Sequence, residues 1–389
     1  MITFEEALNL VLDSAIETNV ENVNMINSLN RVLAEDIFSD IDMPPFDKSA
    51  VDGYACKKAD INNELELIEV IPAGKKPDKD IQSGQCSKIM TGAMLPIGAD
   101  CVVMVEDTVS SDKRVKFVKE TTSINICYKA EDIKKGALVL NKGIIIKPQD
   151  IAVMASVGAV NPKVSCQPKI GIISTGDELV EPSVIPEISQ IRNSNAWQLI
   201  AQVQKAGAYA NYEGIAKDDK ESTYNKIASA FSDNDIVLLT GGVSMGDFDY
   251  VPEILNEMGV NILFKSIAVQ PGRPTVFGLK DNKYIFGLPG NPVSSFVQFE
   301  MLAKPLILKM MGCIEEIPVL NLPMGIDYRR KKTERKAFIP VNIKDGLIFP
   351  VQYHGSAHIH AYAFANGLIW MEKGQSELRK GEAVNVRQL

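Results

Sequence analysis

Paired cysteines, long apolar runs and an excess of positive charge are all missing from this sequence, and histidine nearly so. The six cysteines (Cys56, Cys86, Cys101, Cys127, Cys166 and Cys313) are scattered, with no C-x-x-C pair. That spacing argues against a cysteine-built zinc site and for reduced, mostly buried thiols, as expected of a cytoplasmic protein. No apolar run reaches the roughly 18 residues that a membrane-spanning helix needs. Lys and Arg number 41 against 49 Asp and Glu, a formal net charge of -8. No basic field is available to follow a phosphate backbone, so nucleic acid is excluded as a general partner. The opening MITFEEALNLVLDSA is acidic and amphipathic and carries no basic leading segment. It is expected to be a helix rather than a secretory signal. No internal repeat and no low-complexity linker breaks the chain.

What is present reads as several packed domains. With 46% hydrophobic and 23% charged residues the composition is that of a globular protein, and 389 residues are too many for one core. Phe4, Ala7, Leu8, Val11 and Leu12 recur at helical spacing. From about residue 55 to 146, short alternating runs such as LELIEVI and CVVMVED separated by glycine turns predict a small β-rich domain. PQDIAVMASVGA predicts a helix ended by Gly158. At Lys169 the texture changes. KIGIIST, AYANYEGIA, DIVLLT and KYIFGL read as strands, alternating with helices in NSNAWQLIAQVQKAGA, STYNKIASAF, DYVPEILNEMG and NPVSSFVQFEMLAKPLI. Such alternation argues for a parallel sheet covered on both faces. Beyond about residue 317, FIPVNI, GLIFPVQ, LIWMEK and AVNVRQL predict a small β-domain or barrel.

In an open α/β sheet, ligands sit beyond the carboxyl ends of the strands. Three such ends are chemically marked: Ser174-Thr175-Gly176-Asp177-Glu178, Thr240-Gly241-Gly242-Val243-Ser244-Met245-Gly246-Asp247, and Pro289-Gly290-Asn291-Pro292-Val293-Ser294. Glycines allow close backbone approach, and exposed N–H groups at helix starts favour anions. Asn291 followed by Pro292 predicts a helix start at the third loop, and Asn193 or Ser194 caps another. Asp177 and Glu178 stand where a Walker loop needs Lys and Ser or Thr, and GGVSMG misses the G-x-G-x-x-G dinucleotide spacing, so neither motif is present. Acids beside an anion cradle make sense with Mg²⁺ between them, since Mg²⁺ takes one or two carboxylates plus phosphate oxygens. Glu178, Asp218 or Asp219, and Asp249 all fall at strand ends or helix starts. For Asp249 the plain alternative is helix capping. VQPGRPTVFG presents Arg273 on a rigid turn suited to an oxyanion, or on a plain surface turn.

Seven segments in order, DKSAVDGYA, MTGAMLPIGADCVVMVED, STGDELVEP, IRNSN, GGVSMGDFDY, PGRPTVFG and LPGNPVSS, together resemble the MoeA family, the molybdopterin molybdenumtransferases, and are similar to the gephyrin E domain. The resemblance runs from about residue 3 to the C-terminus. It implies a central doubly wound, mostly parallel α/β domain of the molybdopterin-binding type, with a β-rich insertion domain and a C-terminal small β-barrel. The expected division is 1–38 with 136–168, 39–135, 169–316 and 317–389. It further implies a cytoplasmic homodimer with its cleft between subunits, acting on molybdate and adenylylated molybdopterin with Mg²⁺ and releasing AMP. Contact with a molybdopterin adenylyltransferase or other proteins of the cofactor pathway is a further implied partnership. Carried over by motif, Asp52, Thr91, Asp132, Glu178, Asp218 and Asp249 are the expected catalytic residues, the last three also as metal ligands. Ser174, Thr175, Gly176, Asn193, Ser194, Gly241, Gly242, Ser244, Pro271, Gly272, Arg273, Pro289, Gly290, Asn291, Pro292 and Ser294 are the expected substrate-binding set.

The chain departs from the family pattern in places. Gln270 and Ser266 stand where basic residues are usual, with Lys265 adjacent; Cys127 replaces an arginine, Ala130 a glycine and Lys48 an asparagine. Two other readings compete: a molybdopterin adenylyltransferase, and a non-catalytic scaffold of the gephyrin kind. All three histidines, His354, His358 and His360, fall in HGSAHIH. On a strand His358 and His360 would share a face, but a polar loop near the cleft is the favoured reading over a metal edge. The run RRKKTERK is expected to be a solvated face, and the methionines of FEMLAKPLILKMM core.

Overall fold

The computed structural model describes all residues except 244–249, 316, 353, 354 and 356. The chain forms two units. One comprises Met1–Glu35, Gly143–Lys147 and Pro162–Leu389, and the other Asp36–Lys142 with Pro148–Asn161.

The chain opens with α1 (Phe4–Asp13), started by a capping box in which Thr3 Oγ1 accepts from the Glu6 amide (3.2 Å) and Glu6 Oε2 accepts from the Thr3 amide (2.8 Å). Phe4, Ala7 and Val11 are its buried stripe. The second unit is built on a six-stranded sheet. Its strands are β1 (Gly53–Cys56), β2 (Glu64–Ile71), β3 (Gln85–Ile89), β4 (Cys101–Met104), β5 (Thr108–Ser111) and β6 (Arg114–Phe117), in spatial order β4-β1-β3-β2-β6-β5. Both faces are covered: Tyr54, Leu65, Val103 and Phe117 share one core, and Ala55, Ile71, Ile89 and Val102 another. Cys56 lies opposite both Cys101 and Cys86 across neighbouring strands, with its Sγ 3.6 Å from that of Cys101. None of these thiols forms a disulfide, and burial pushes Cys86 up to about 12. The helix α2 (Pro148–Ser156) belongs to the same unit.

The first unit is centred on the α/β sheet. Its strands are β7 (Lys169–Thr175), β8 (Tyr209–Ala216), β9 (Ile236–Thr240), β10 (Asn261–Phe264), β11 (Val276–Lys280) and β12 (Lys283–Leu288), in order β8-β7-β9-β12-β11-β10. The strands β8, β7, β9 and β12 are parallel, and β11 and β10 extend the sheet antiparallel. In the sequence only β12, the KYIFGL run, was read as a strand of the β11–β12 hairpin; β11 and β10 were not. The hairpin turn is Asp281-Asn282, both at positive φ (51° and 63°), as a tight two-residue hairpin requires. The helices α3 (Ser194–Lys205), α4 (Lys220–Asp233), α5 (Val251–Glu257), α6 (Pro292–Gln298) and α7 (Lys304–Met310) flank the sheet, with the π-helical turn Phe299–Ala303 joining the last two. Ile172, Leu238 and Phe286 share a core with α1, α3, α6 and α7. Val237, Leu239 and Ile285 share the other core with α4 and α5. Two covered faces account for strands that read as unbroken apolar runs rather than as alternation.

The C-terminal part is β13 (Val319–Pro323), β14 (Lys336–Lys344), β15 (Leu347–Pro350), β16 (Gly367–Met371) and β17 (Ala383–Gln388), paired in the order β15-β14-β16-β17-β13. A bridge from Met324, just past β13, to Ile348 of β15 joins the two ends into a small barrel. Ile339, Val341, Ile369, Met371 and Val386 fill it, while Phe338 and Leu368 belong to the core of the α/β sheet. His358 and His360 do not share a strand face: His358 caps a 3-10 helix, Ile359–Phe364, and His360 lies within it. His354 lies outside the described residues. Of RRKKTERK, Arg330 and Arg335 are partly buried and donate to main-chain carbonyls, Arg330 to Gln375, Arg335 and Glu372 and Arg335 to Val269, so they are structural rather than merely solvated. Met301, Met310 and Met311 are core residues.

Candidate active site

Four parallel strands end at one edge because their register is nearly flush: Thr175 lies beside Ala216, Ser174 beside Thr240, and Thr240 beside Leu288. The loops after them converge on a cleft of about 790 Å³. Of the expected residues, Thr175, Gly176, Glu178, Asn193, Ser194, Asp218, Gly241, Gly242, Pro289, Gly290, Asn291 and Pro292 line it.

Loop geometry explains the glycines. Gly241 has φ +92°, and a Cβ there would meet Thr175 Oγ1 at 2.6 Å and the Thr175 carbonyl oxygen at 2.7 Å. Only glycine lets the loop after β9 close on the loop after β7. At the next loop a Cβ on Gly290 would lie 3.7 Å from Gly241 Cα, an ordinary packing contact.

Among the described residues two carboxylates line the cleft, Glu178 after β7 and Asp218 after β8. The structure separates Asp218 from Asp219. Asp219 caps α4, its Oδ1 accepting from the Ser222 amide at 2.7 Å, whereas Asp218 exchanges backbone-to-carboxylate bonds with Asp177 (3.3 and 3.2 Å), tying two loops together. Among the described residues no hydrogen bond or ion pair occupies the Glu178 carboxylate. Asp249 and Ser244 lie outside the described residues. Asn291 lines the cleft at the cap position of α6, and among the described residues its side chain makes no cap bond.

Beneath the cleft runs a polar network. Asn193 is the side-chain cap of α3, accepting from the Ala196 amide at 3.3 Å. Ser174 is wholly buried and does not line the cleft; it donates to Asn193 Oδ1 (3.0 Å) and accepts from Thr240 Oγ1 (3.2 Å). Asn193 Nδ2 donates to the Tyr212 hydroxyl (3.0 Å), which donates to Glu181 Oε1 (2.6 Å). Burial, with the Glu181 carboxylate adding to it, raises the Tyr212 phenol well above its ordinary value.

Other expected residues lie elsewhere. Pro271, Gly272 and Arg273 are not among the lining residues; Pro274 is. Gln298 Nε2 donates to the Pro271 carbonyl at 3.0 Å, while the Arg273 side chain is exposed. Ser294 is buried in α6. In the β-rich unit, Asp52 Oδ1 accepts from both the amide (2.6 Å) and the hydroxyl (2.8 Å) of Thr91. Asp132 lines a separate hollow in that unit with Lys48, Cys127 and Glu131.

Two polar lining residues were not singled out from sequence, Arg192 and Asn195. Asn195 Nδ2 donates to the Gly290 carbonyl at 2.7 Å, and Arg192 Nε to the Val184 carbonyl at 3.1 Å. Arg192 and Asn195 sit inside IRNSN, where the cap alone drew attention. His360, expected in a polar loop near the cleft, does line it, but from the 3-10 helix Ile359–Phe364.

The fold and site together define an open α/β sheet with an acidic, glycine-lined cleft at its carboxyl edge, joined to a small β-barrel. Residues 2–158 match the MoeA N-terminal region (domain I and II), residues 171–309 the probable molybdopterin binding domain, and residues 323–389 the MoeA C-terminal region (domain IV). The molybdopterin molybdenumtransferase of Staphylococcus epidermidis is 35% identical, covering 99% of this chain and 95% of the relative. That of Staphylococcus aureus is 34% identical with the same coverage. A crystal structure of the molybdopterin biosynthesis MoeA protein from Pyrococcus horikoshii OT3 is similar throughout, with TM-score 0.87, 31% identity and 100% of both chains covered. The chain belongs to the MoeA family.

Proposed function

We propose that the protein transfers molybdenum from molybdate to adenylylated molybdopterin in a Mg²⁺-dependent reaction that cleaves the phosphoanhydride and releases AMP. One observation carries the reading: Glu178 and Asp218 meet the Gly241-Gly242 and Pro289-Gly290-Asn291 loops at a single cleft. Membership of a family whose curated relatives are named molybdopterin molybdenumtransferase supports the same assignment.

The donor set fits a hard cation. Glu178 offers a carboxylate with no hydrogen bond among the described residues, and Asp218 spends one oxygen on the Asp177 amide and keeps the other. Together they fit Mg²⁺, which takes one or two carboxylates and completes its sphere with phosphate oxygens and water. Asp249 is the proposed third member; among the described residues no group of three acids, histidines or cysteines could hold a metal. When bound, Mg²⁺ supplies charge neutralisation at the phosphoanhydride oxygens. The protein's own groups do the rest. Backbone amides of the glycine loops and the start of α3 bind the anionic groups. Arg192 adds positive charge, and Asn195 fixes the Gly290 loop. A homodimer, a contribution of Asp52, Thr91 and Asp132 to the reaction, and cytoplasmic residence belong to the same proposal. Among the described residues no helix is long and apolar enough to cross a membrane.

Glu178→Gln and Asp218→Asn test the assignment. Each is expected to lower AMP release by on the order of a hundredfold or more while leaving the unfolding midpoint unchanged. Release at the parent rate in both variants contradicts the proposal.

A further inference from the structure

We propose that Glu181 and Tyr212 are positioning residues for this cleft. They hold the Asn193 amide in one orientation, and with it the cap of α3 and the ribbon that carries Glu178.

The network has a single direction. Asn193 is 1% exposed, and its Oδ1 accepts from the Ser174 hydroxyl and the Ala196 amide. Its Nδ2 must therefore find an acceptor inside the protein, and it meets the Tyr212 oxygen at 3.0 Å. With that oxygen accepting, the phenolic proton points to Glu181 Oε1 at 2.6 Å. An ionised carboxylate only accepts, so the chain cannot run backwards. At the other end, Thr240 Oγ1 donates to Ser174, which donates to Asn193. One row of hydrogen bonds thus runs across β8, β7 and β9, from Tyr212 in mid-strand to Ser174 and Thr240 near the carboxyl ends.

Glu181 ties a second element to this row. It directly follows the short strand Leu179–Val180, which pairs with Ile191–Arg192, and the Asn193 amide donates to the Val180 carbonyl at 2.8 Å. Glu178 immediately precedes that strand. The bond from Tyr212 on β8 therefore anchors the ribbon between a cleft carboxylate at one end and the α3 cap at the other. Without the phenol, Asn193 Nδ2 is a buried donor with no acceptor.

The test uses the full-length protein with Tyr212→Phe, Glu181→Leu and Glu181→Gln. Phenylalanine keeps the ring beside Trp197, whose centroid lies 5.7 Å away. Two readouts are taken: calorimetric titration with AMP, and backbone hydrogen exchange over residues 193–197 without ligand. Tyr212→Phe and Glu181→Leu are expected to weaken AMP binding about tenfold and to speed exchange at the Ala196 amide. Glu181→Gln, which keeps an acceptor oxygen, is expected to stay close to the parent in both. A Tyr212→Phe protein that matches the parent in AMP affinity and in exchange overturns the inference. The AMP arm rests on the proposed reaction and the exchange arm does not. If the parent itself fails to bind AMP, the proposed reaction falls and exchange alone decides the positioning role.

Discussion

Replacing Gly241 by alanine measures how tightly the β9 loop sits on the β7 loop. Two costs add. At φ +92° a side chain is placed where L-residues are strained, at about 1–2 kcal/mol. The new methyl would also lie 2.6 and 2.7 Å from two oxygens of Thr175, one of them main chain. Relief needs the loops to part by several tenths of an ångström, the kind of overpacking that costs about 1–3 kcal/mol. The sum is about 2–5 kcal/mol. Gly259, after α5, is the matched control: its φ is +73° and nothing lies within 4 Å of a Cβ there. Gly259→Ala should therefore show the backbone cost alone, about 1–2 kcal/mol. Urea unfolding followed by tryptophan fluorescence reads the difference through Trp197 on α3. Equal destabilisation of the two variants would mean that Thr175 does not press on Gly241, and the cleft geometry argued above would fail. AMP release should also fall in Gly241→Ala and not in Gly259→Ala.

Other outcomes follow from the same physical reasoning. Thr91 donates twice to Asp52 and holds its carboxyl below the ordinary aspartate value of 3.8. A depressed folded-state pKa gives stability that is present above about pH 4 and lost as pH falls through the folded value. The unfolding midpoint of the parent should thus fall more steeply below pH 4 than that of Asp52→Asn. Glu300 is 4% exposed and accepts from Lys304 (3.1 Å) and Gln202 (3.0 Å), with Arg387 at 3.9 Å. Glu300→Ala leaves buried cations unpaired and should cost about 3–5 kcal/mol in urea unfolding. Arg387→Met should cost under about 1 kcal/mol, because the guanidinium already keeps Nε and Nη2 buried without hydrogen bonds.

The parallel strands were legible because strands covered on both faces are written as continuous apolar runs, and KIGIIST and DIVLLT are unambiguous in that respect. Of the antiparallel β11–β12 hairpin, KYIFGL was legible but β11 was not, since the prolines and glycine of VQPGRPTVFG drew the reading towards a turn. The informative signal was Asp281-Asn282 between two apolar runs. In the cleft, Glu178 and the glycine loops could be found from sequence because strand-end chemistry is local. Choosing between Asp218 and Asp219 required seeing which one caps α4. Asn193 was legible as a cap, but its link to Tyr212 and Glu181 depends on which strand lies beside which. The polar HGSAHIH segment was read as lying near the cleft, and His360 does line it, though from a 3-10 helix rather than a loop.

AMP release from adenylylated molybdopterin, followed with molybdate present while Mg²⁺ is titrated against a chelator, goes to the centre of the account. Release that saturates with Mg²⁺, stops in excess chelator and is lost in Glu178→Gln is the predicted result. Release that proceeds at the parent rate with all divalent cations removed would contradict it.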